Sequence, residues 1–188
     1  MGYRIAQDPV ADKVLDESPF ALLMGMMLDQ QFPMERAFAG PAKVLERFGS
    51  LDPAAVADAD PEAFADLCAT PPAVHRYARS MAGRIQALAV VVRDSYDGDA
   101  SAIWRDASSG DELVARVRAL PGFGEQKARI FTALLAKRVG VTPPGWEDVA
   151  GPYGAVGHFS VADIDGPEAL AAVREHKKAM KAAAKAGT

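Results

Sequence analysis

Apolar residues recur every three or four positions along most of the chain, which is the spacing of one face of an α-helix. The pattern is longest over residues 73–94, where arginines separate the apolar positions Val74, Tyr77, Ala78, Met81, Ile85, Leu88, Ala89 and Val92. Shorter stretches predict helices over residues 102–106, 111–120 and 125–139 and from Pro167 into the Lys- and Ala-rich C-terminal segment. No stretch alternates apolar and polar residues for long enough to predict a strand. The predicted fold class is therefore all-α.

Two helix starts have a clear local signal. Ser18 precedes Pro19, and Asp60 precedes Pro61, as expected of an N-cap followed by proline at the first helical position. The segment after Pro19 is apolar on all sides, which predicts a buried helix over residues 19–28.

Residues 140–166 follow no helical period and contain six glycines and three prolines together with Trp146, Tyr153, His158 and Phe159. A loop of this length in a compact domain is usually either functional or disordered. The aromatic residues favour an ordered segment that packs on the rest of the protein.

Composition excludes several classes of protein. The chain has 188 residues, a formal net charge of −4 and a single cysteine, so it can form neither an internal disulfide nor a four-thiolate metal site. The three histidines show no ligand spacing, and we expect no metal or other cofactor. The N-terminus lacks the pattern of a signal peptide and no apolar stretch is long enough for a membrane span, which predicts a cytoplasmic protein with no membrane partner.

The segment with the most specific chemistry is LPGFGEQKARIF, residues 120–131. A helix that ends at Pro-Gly-Phe-Gly and is followed at once by another makes a tight hairpin, where Gly122 and Gly124 allow unusual backbone angles and close approach by another molecule. The free N–H groups at the start of the second helix form an anion site, with Lys127 just behind. This is the sequence form of a helix-hairpin-helix motif, although an ordinary helical connection with a glycine C-cap gives the same pattern. Residues 112–188 carry 11 Lys and Arg against 8 Asp and Glu, a mild basic bias.

Three segments together resemble the helix-hairpin-helix-GPD superfamily of base-excision DNA repair glycosylases. They are FALLMGMMLDQQFPMERAFAGPAKVLERFG, PAVHRYARSMAGRIQALA and LPGFGEQKARIF, and the resemblance covers roughly residues 15–140. It is strongest to a compact branch typical of actinobacteria that has no iron–sulfur cluster. The resemblance implies one two-lobed helical unit over residues 1–188. Residues 19–139 would form a helical bundle that contains the hairpin at 111–139, and residues 1–18 with 140–188 would form the second lobe.

The resemblance also implies how DNA is bound. In this superfamily a glutamine after the buried helix fills the gap left by an everted base, and Gln30 and Gln31 match that position. The pair resembles the Gln-Gln of alkylpurine glycosylases. The hairpin would hold the DNA backbone through residues at its turn and at the start of its second helix: Gly122, Phe123, Gly124, Gln126 and Lys127. The alternative explanation of the two glutamines is a helix end exposed to water.

Catalysis in the superfamily uses an aspartate a short way past the hairpin, and Asp148 is the nearest candidate. Its carboxylate would stabilise the positive charge that develops on the sugar as the base leaves. Glu147 and Asp163 are alternatives, and Asp148 or Glu147 could instead cap a short helix. Gln126 stands where bifunctional members have a nucleophilic lysine. Lys127 lies one residue on, about 100° round the helix, and is expected to face phosphate.

The sequence thus predicts a nucleoid-associated, monomeric and monofunctional DNA N-glycosylase that acts on duplex DNA containing a damaged base, with alkylated bases as one candidate class. Base flipping would select partly for bases that unstack easily. Two alternatives stay open: a non-catalytic helix-hairpin-helix DNA-binding protein, and a helical protein-interaction scaffold. The sequence does not identify the lesion, because pocket shape depends on side chains from distant parts of the chain.

Overall fold

The computed structural model describes residues 2–187, which form helices and turns and include no strand, so the all-α prediction is confirmed. The α-helices, in chain order, are α1 (Pro9–Glu17), α2 (Pro19–Leu28), α3 (Met34–Phe48), α4 (Pro53–Asp58), α5 (Pro61–Ala69), α6 (Ala78–Ser95), α7 (Ala102–Arg105), α8 (Gly110–Arg118), α9 (Glu125–Leu134), α10 (Trp146–Ala150) and α11 (Pro167–Ala186). A π-helical turn, Leu135–Val139, continues α9. Two 3-10 turns, Gly151–Gly154 and Val161–Asp163, follow α10.

Four of the first five helices begin with the same local device. Each has a proline in its first turn and a preceding Asp or Ser whose side chain accepts a hydrogen bond from a backbone N–H group of that turn. The predicted starts at Ser18 and Asp60 are confirmed. The four capping bonds are Asp8 with Ala11, Ser18 with Ala21, Asp52 with Ala55 and Asp60 with Ala63.

Helix α2 lies at the centre of the fold. Its residues 20–28 are all buried, as the continuous apolar pattern predicted. The contact with α3 is close at Gly25, where a Cβ atom would lie 2.7 Å from Cδ1 of Phe38. This packing fixes the C-terminal end of α2 and the turn that follows it.

Helix α6 begins at Ala78 rather than at Ala73, so the predicted start is wrong by more than one helical turn. The reason lies in His75, which is buried. Its Nδ1 accepts a hydrogen bond from the backbone N–H of Tyr77 at 3.0 Å, which gives that amide a partner outside the helical pattern. Periodicity alone does not distinguish such an apolar turn from a helix.

The segment 140–166 is ordered and packs on the hairpin helices, as predicted from its aromatic residues. Helix α10 contacts both α8 and α9. The contact with α8 is made at Gly110, whose added Cβ would lie 2.7 Å from the Cα of Trp146. A side chain at position 110 would therefore separate α10 from the hairpin.

Helix α11 is the longest, with 20 residues, and only its N-terminal half has buried residues: Ala169, Leu170 and Val173. From Arg174 onward nearly every residue is exposed. Nowhere in residues 2–187 is there a helix with the length and apolarity that a membrane span requires.

Candidate nucleic-acid interface

The hairpin between α8 and α9 needs glycine at one position of its turn for two reasons. Gly122 has φ of 81°, a left-handed conformation that side chains rarely adopt. A Cβ atom there would also lie only 2.7 Å from Cγ of Met27. The turn therefore packs directly against the C-terminal end of α2.

Gly124 is not required by its backbone conformation, because its φ and ψ angles are extended and any residue could adopt them. It is the N-cap of α9, it is exposed, and no atom lies within 4 Å of where its Cβ would be. No side chain of the described chain caps α9. The first N–H groups of α9 are thus open to an anion at the positive end of the helix dipole.

Met27 brings the hairpin next to the turn that follows α2. Besides its contact with Gly122, its carbonyl oxygen accepts a hydrogen bond from Nζ of Lys127 at 3.0 Å. The glutamine turn, defined here as residues 29–31, starts two residues after Met27. The two segments that the sequence assigned to DNA contact are therefore neighbours.

Gln30 and Gln31 of the glutamine turn are exposed, and hydrogen bonds from His75 and Arg84 hold Gln30 in place. The backbone carbonyl of Gln30 lies 2.9 Å from Nε2 of His75, and its side-chain Oε1 accepts from Arg84 at 3.2 Å. Because Nδ1 of His75 accepts the Tyr77 amide, Nε2 carries the proton and donates to Gln30. Gln31 is exposed and has φ of 51°, an uncommon conformation for a residue other than glycine.

The role of His75 predicts a pH dependence of stability. Burial, followed by nearby cations, lowers the pKa of His75 below its usual range, while the bond to Gln30 opposes the shift. The unfolded chain then binds more protons than the folded one once the pH falls below about 6.5, so stability falls as the pH drops through that range. His75→Gln should flatten this loss in urea unfolding between about pH 7 and 5. The control His158→Gln, at an exposed residue, should leave the loss of stability with falling pH unchanged. If stability fell equally with pH in both variants, His75 would not be the group responsible.

Two predicted DNA contacts point inward. The Phe123 side chain is 7% exposed and packs edge-on against Phe131 with ring centroids 6.0 Å apart, so only its backbone can meet DNA. Lys127 was predicted to face phosphate, but its ammonium donates to the carbonyl of Met27. Burial lowers the pKa of Lys127 to about 8, and the nearby carboxylate of Asp29 opposes the shift.

Asp148 lies in the first turn of the short helix α10 and is exposed. Within residues 2–187 its side chain has no hydrogen bond or ion pair, and it does not cap the helix that contains it. The start of helix α10 packs against Gly110, the first residue of α8. Because α8 has nine residues, this end of the helix lies about 13 Å from the end that leads into the hairpin turn.

Asp163, one of the two alternatives to Asp148, has a structural role. Its side chain is 5% exposed and accepts a hydrogen bond from Lys137 at 2.6 Å. It also accepts from the backbone N–H groups of Phe159 and Ser160 and completes a capping box with Ser160. Its oxygens are occupied in holding the 155–163 segment to the end of α9, which argues against a catalytic role.

Asp29 is a carboxylate that the sequence did not single out as a candidate. It forms the C-cap of α2, its side chain is 10% exposed, and Oδ2 lies 3.6 Å from Nζ of Lys177. Burial raises the pKa of Asp29, while Lys177 and Lys127 oppose the shift. The available signal in the sequence was an acidic residue directly after an apolar helix. The sequence does not show that this residue is buried, because Lys177 of the distant helix α11 packs beside it.

Helix α11 is joined to the start of α3 by a second ion pair. Arg174 binds Oε1 of Glu35, which lies in the first turn of α3. The other oxygen, Oε2, is buried and has no hydrogen-bond partner in the described chain. Together with the pair of Lys177 and Asp29, this contact holds the middle of α11 beside the glutamine turn.

A pocket of about 480 Å³ opens between α9, α11 and the segment after α10. We call it the aromatic pocket, and its lining residues are Gln126, Ile130, Pro152, Tyr153, Phe159, His176, Lys177 and Met180. Nε2 of Gln126 donates to the Tyr153 hydroxyl at 2.9 Å, and Phe159 packs edge-on against His176 with centroids 5.2 Å apart. Lys177 connects the pocket to Asp29. Local sequence patterns gave no sign of this pocket, because its residues come from three separate segments.

Comparison with known proteins adds one finding. The family described as HhH-GPD superfamily base excision DNA repair protein matches residues 24–184, most of the chain. No curated protein and no solved structure matches.

Proposed function

Because the chain belongs to the HhH-GPD superfamily of base excision DNA repair proteins, we propose that it is a DNA N-glycosylase. It binds duplex DNA, everts a damaged nucleotide and hydrolyses the bond between base and sugar. The observation that carries this proposal is the juxtaposition, through Met27, of the hairpin turn and the glutamine turn beside a pocket. A phosphate-binding element, a probing side chain and a cavity then lie on one side of the molecule.

DNA binding would begin at the hairpin. The exposed N–H groups at the start of α9 suit a backbone phosphate, and Gly124 leaves space for its approach. The adjacent glutamine turn presents Gln31 outward, while His75 and Arg84 hold Gln30. Because the Gln30 side chain is already held by Arg84, it can fill the gap in the base stack at a small entropic cost.

A carboxylate would then act at the sugar. As the N-glycosidic bond breaks, its electron pair leaves with the base, and the cationic sugar is stabilised by the carboxylate until water adds to C1′ and gives up a proton. Asp148 is the residue predicted from sequence, but the geometry favours Asp29. Asp29 lies in the glutamine turn and beside Lys177 of the pocket, whereas the Asp148 side chain is exposed on helix α10.

The proposal is a hydrolytic reaction without a covalent lysine intermediate. Gln126, at the position of the nucleophile in bifunctional relatives, has an amide that bonds to Tyr153 and cannot form a Schiff base. The amine of the neighbouring residue, Nζ of Lys127, is bound to the carbonyl of Met27.

The hairpin can be tested with two glycine substitutions that leave the fold intact. Gly124→Ala adds a methyl group where no atom lies within 4 Å, and should weaken binding to an undamaged duplex about tenfold, or about 1.4 kcal/mol, by obstructing a phosphate. Gly166→Ala is the matched control, because Gly166 is also an extended helix N-cap in open space, at the start of α11. Fluorescence anisotropy at low salt measures both. Equal affinity of the two variants would remove the hairpin from the DNA interface.

A further inference from the structure

The exposed C-terminal half of α11, residues 174–186, carries its cations on one side. At about 100° per residue, they all fall within an arc of about 100°, on a face about 16 Å long. We call this the cationic face, and its residues are Arg174, Lys177, Lys178, Lys181 and Lys185. The one acidic residue of this half, Glu175, lies outside the arc by about 60°. Solvation alone does not require this alignment, because any exposed side of the helix would serve it.

This half of α11 is helical although none of its residues is buried. Alanine and lysine, two residue types with high helix propensity, occupy nine of its 13 positions. The helix is therefore supported by its own composition, and the cationic face is not needed for packing. Within residues 2–187, Lys178 and Lys181 have no acidic partner.

The cationic face begins beside the glutamine turn. Its first two residues are paired there, Arg174 with Glu35 and Lys177 with Asp29. Beyond these pairs the helix continues away from its buried N-terminal half, so the unpaired lysines lie further out on the same face. The charge of the face is thus continuous with the segment proposed to contact DNA.

The chemistry of this face suits duplex DNA better than a membrane. Duplex DNA has a phosphate about every 3.4 Å of its axis on each strand, so a face about 16 Å long matches about five phosphates of one strand. A helix that binds a membrane surface needs a broad apolar face opposite its cations. In residues 174–186 the only large apolar side chain is Met180, and the other apolar residues are alanines.

We propose that the cationic face of α11 is a second DNA-binding surface, which holds the phosphate backbone of the duplex beside the glutamine turn without reading bases. Arg174 and Lys177 anchor the face to Glu35 and Asp29, and Lys178 and Lys181 contact phosphate. The inference rests on the proposed function, because it takes duplex DNA as the partner. It extends the interface beyond the hairpin and the glutamine turn.

The test is the salt dependence of binding to an undamaged duplex that extends past the protein, measured by fluorescence anisotropy between about 50 and 200 mM salt. Each phosphate contact adds about 0.9 to the slope of log affinity against log salt concentration. The double variant Lys178→Gln with Lys181→Gln should therefore have a slope smaller by about 1.8, and should bind about tenfold more weakly at the lowest salt. Lys178→Arg with Lys181→Arg should keep the wild-type slope, because the charges persist. Circular dichroism checks that α11 remains helical.

The matched control removes two positive charges elsewhere. Arg4 and Lys13 are exposed in the N-terminal part of the chain, and Arg4→Gln with Lys13→Gln should leave the slope unchanged. Equal slopes in the lysine variant and the wild type, or equal losses in the lysine variant and the control, would overturn the proposal. With wild-type binding intact, that result would leave the proposed DNA glycosylase standing. No duplex binding by the wild type at any salt concentration would overturn both.

Discussion

Asp29→Asn is expected to slow single-turnover base release by about 100-fold or more while duplex affinity changes by less than about threefold. The substitution keeps the shape of the side chain but removes the negative charge that would stabilise a cationic sugar. Affinity should persist because Asp29 is only 10% exposed and the proposed phosphate contacts are made by the hairpin.

Asp148→Asn is the matched control, with the same chemical change at an exposed residue of helix α10. It should alter the rate by less than about tenfold. A large loss with Asp148→Asn and none with Asp29→Asn would assign the carboxylate to Asp148, as the sequence predicted. Rates should be compared below the melting temperature of both variants, because Asp29→Asn leaves Lys177 without its acidic partner.

The protonation of Asp29 gives this prediction a pH signature. Burial raises the pKa of Asp29 above its usual value, and the proposed reaction needs the ionised form. Base release should therefore fall with decreasing pH at a higher pH than an ordinary aspartate, near 3.9, would cause. The base release that remains in Asp29→Asn should not show this fall with decreasing pH.

Gly122→Ala is expected to lower the free energy of unfolding by about 1–3 kcal/mol and to weaken duplex binding by more than tenfold. The stability loss has two causes: alanine at φ of 81° is strained, and its Cβ would approach Cγ of Met27 to 2.7 Å. The binding loss follows because displacement of the turn from Met27 moves the hairpin relative to the glutamine turn. Chemical denaturation and anisotropy measure the two effects.

Gly124→Ala separates the two effects, since it should weaken DNA binding at a smaller loss of stability than Gly122→Ala, limited to the weaker N-cap that alanine makes. If Gly122→Ala left stability unchanged, the turn would not have the left-handed conformation described here. If it destabilised the fold but kept full duplex affinity, the contact with Met27 would be structural only.

Features encoded by neighbouring residues were predictable from sequence. The caps at Ser18 and Asp60, the buried helix α2 and the glycines of the hairpin each depend on a few adjacent positions. Helix α10 is an exception among local features, because five residues are too few to show a helical period.

Features that depend on distant segments were not predictable. The inward orientation of Lys127 is set by Met27, 100 residues earlier in the chain. The burial of Asp29 and the aromatic pocket both require α11 to return beside the glutamine turn, where Lys177 meets Asp29. The candidate site is thus assembled by tertiary packing, which periodicity and local motifs do not encode.

The most direct measurement is single-turnover base release by the wild-type protein from duplexes with deaminated, oxidised and alkylated bases, alongside duplex affinity at low and moderate salt. A DNA N-glycosylase should release at least one damaged base well above the rate without protein, with affinity that weakens as salt rises. Tight, salt-dependent binding without release of any base would contradict the glycosylase function in favour of a non-catalytic DNA-binding protein. No binding even at low salt would contradict it in favour of a protein-interaction scaffold.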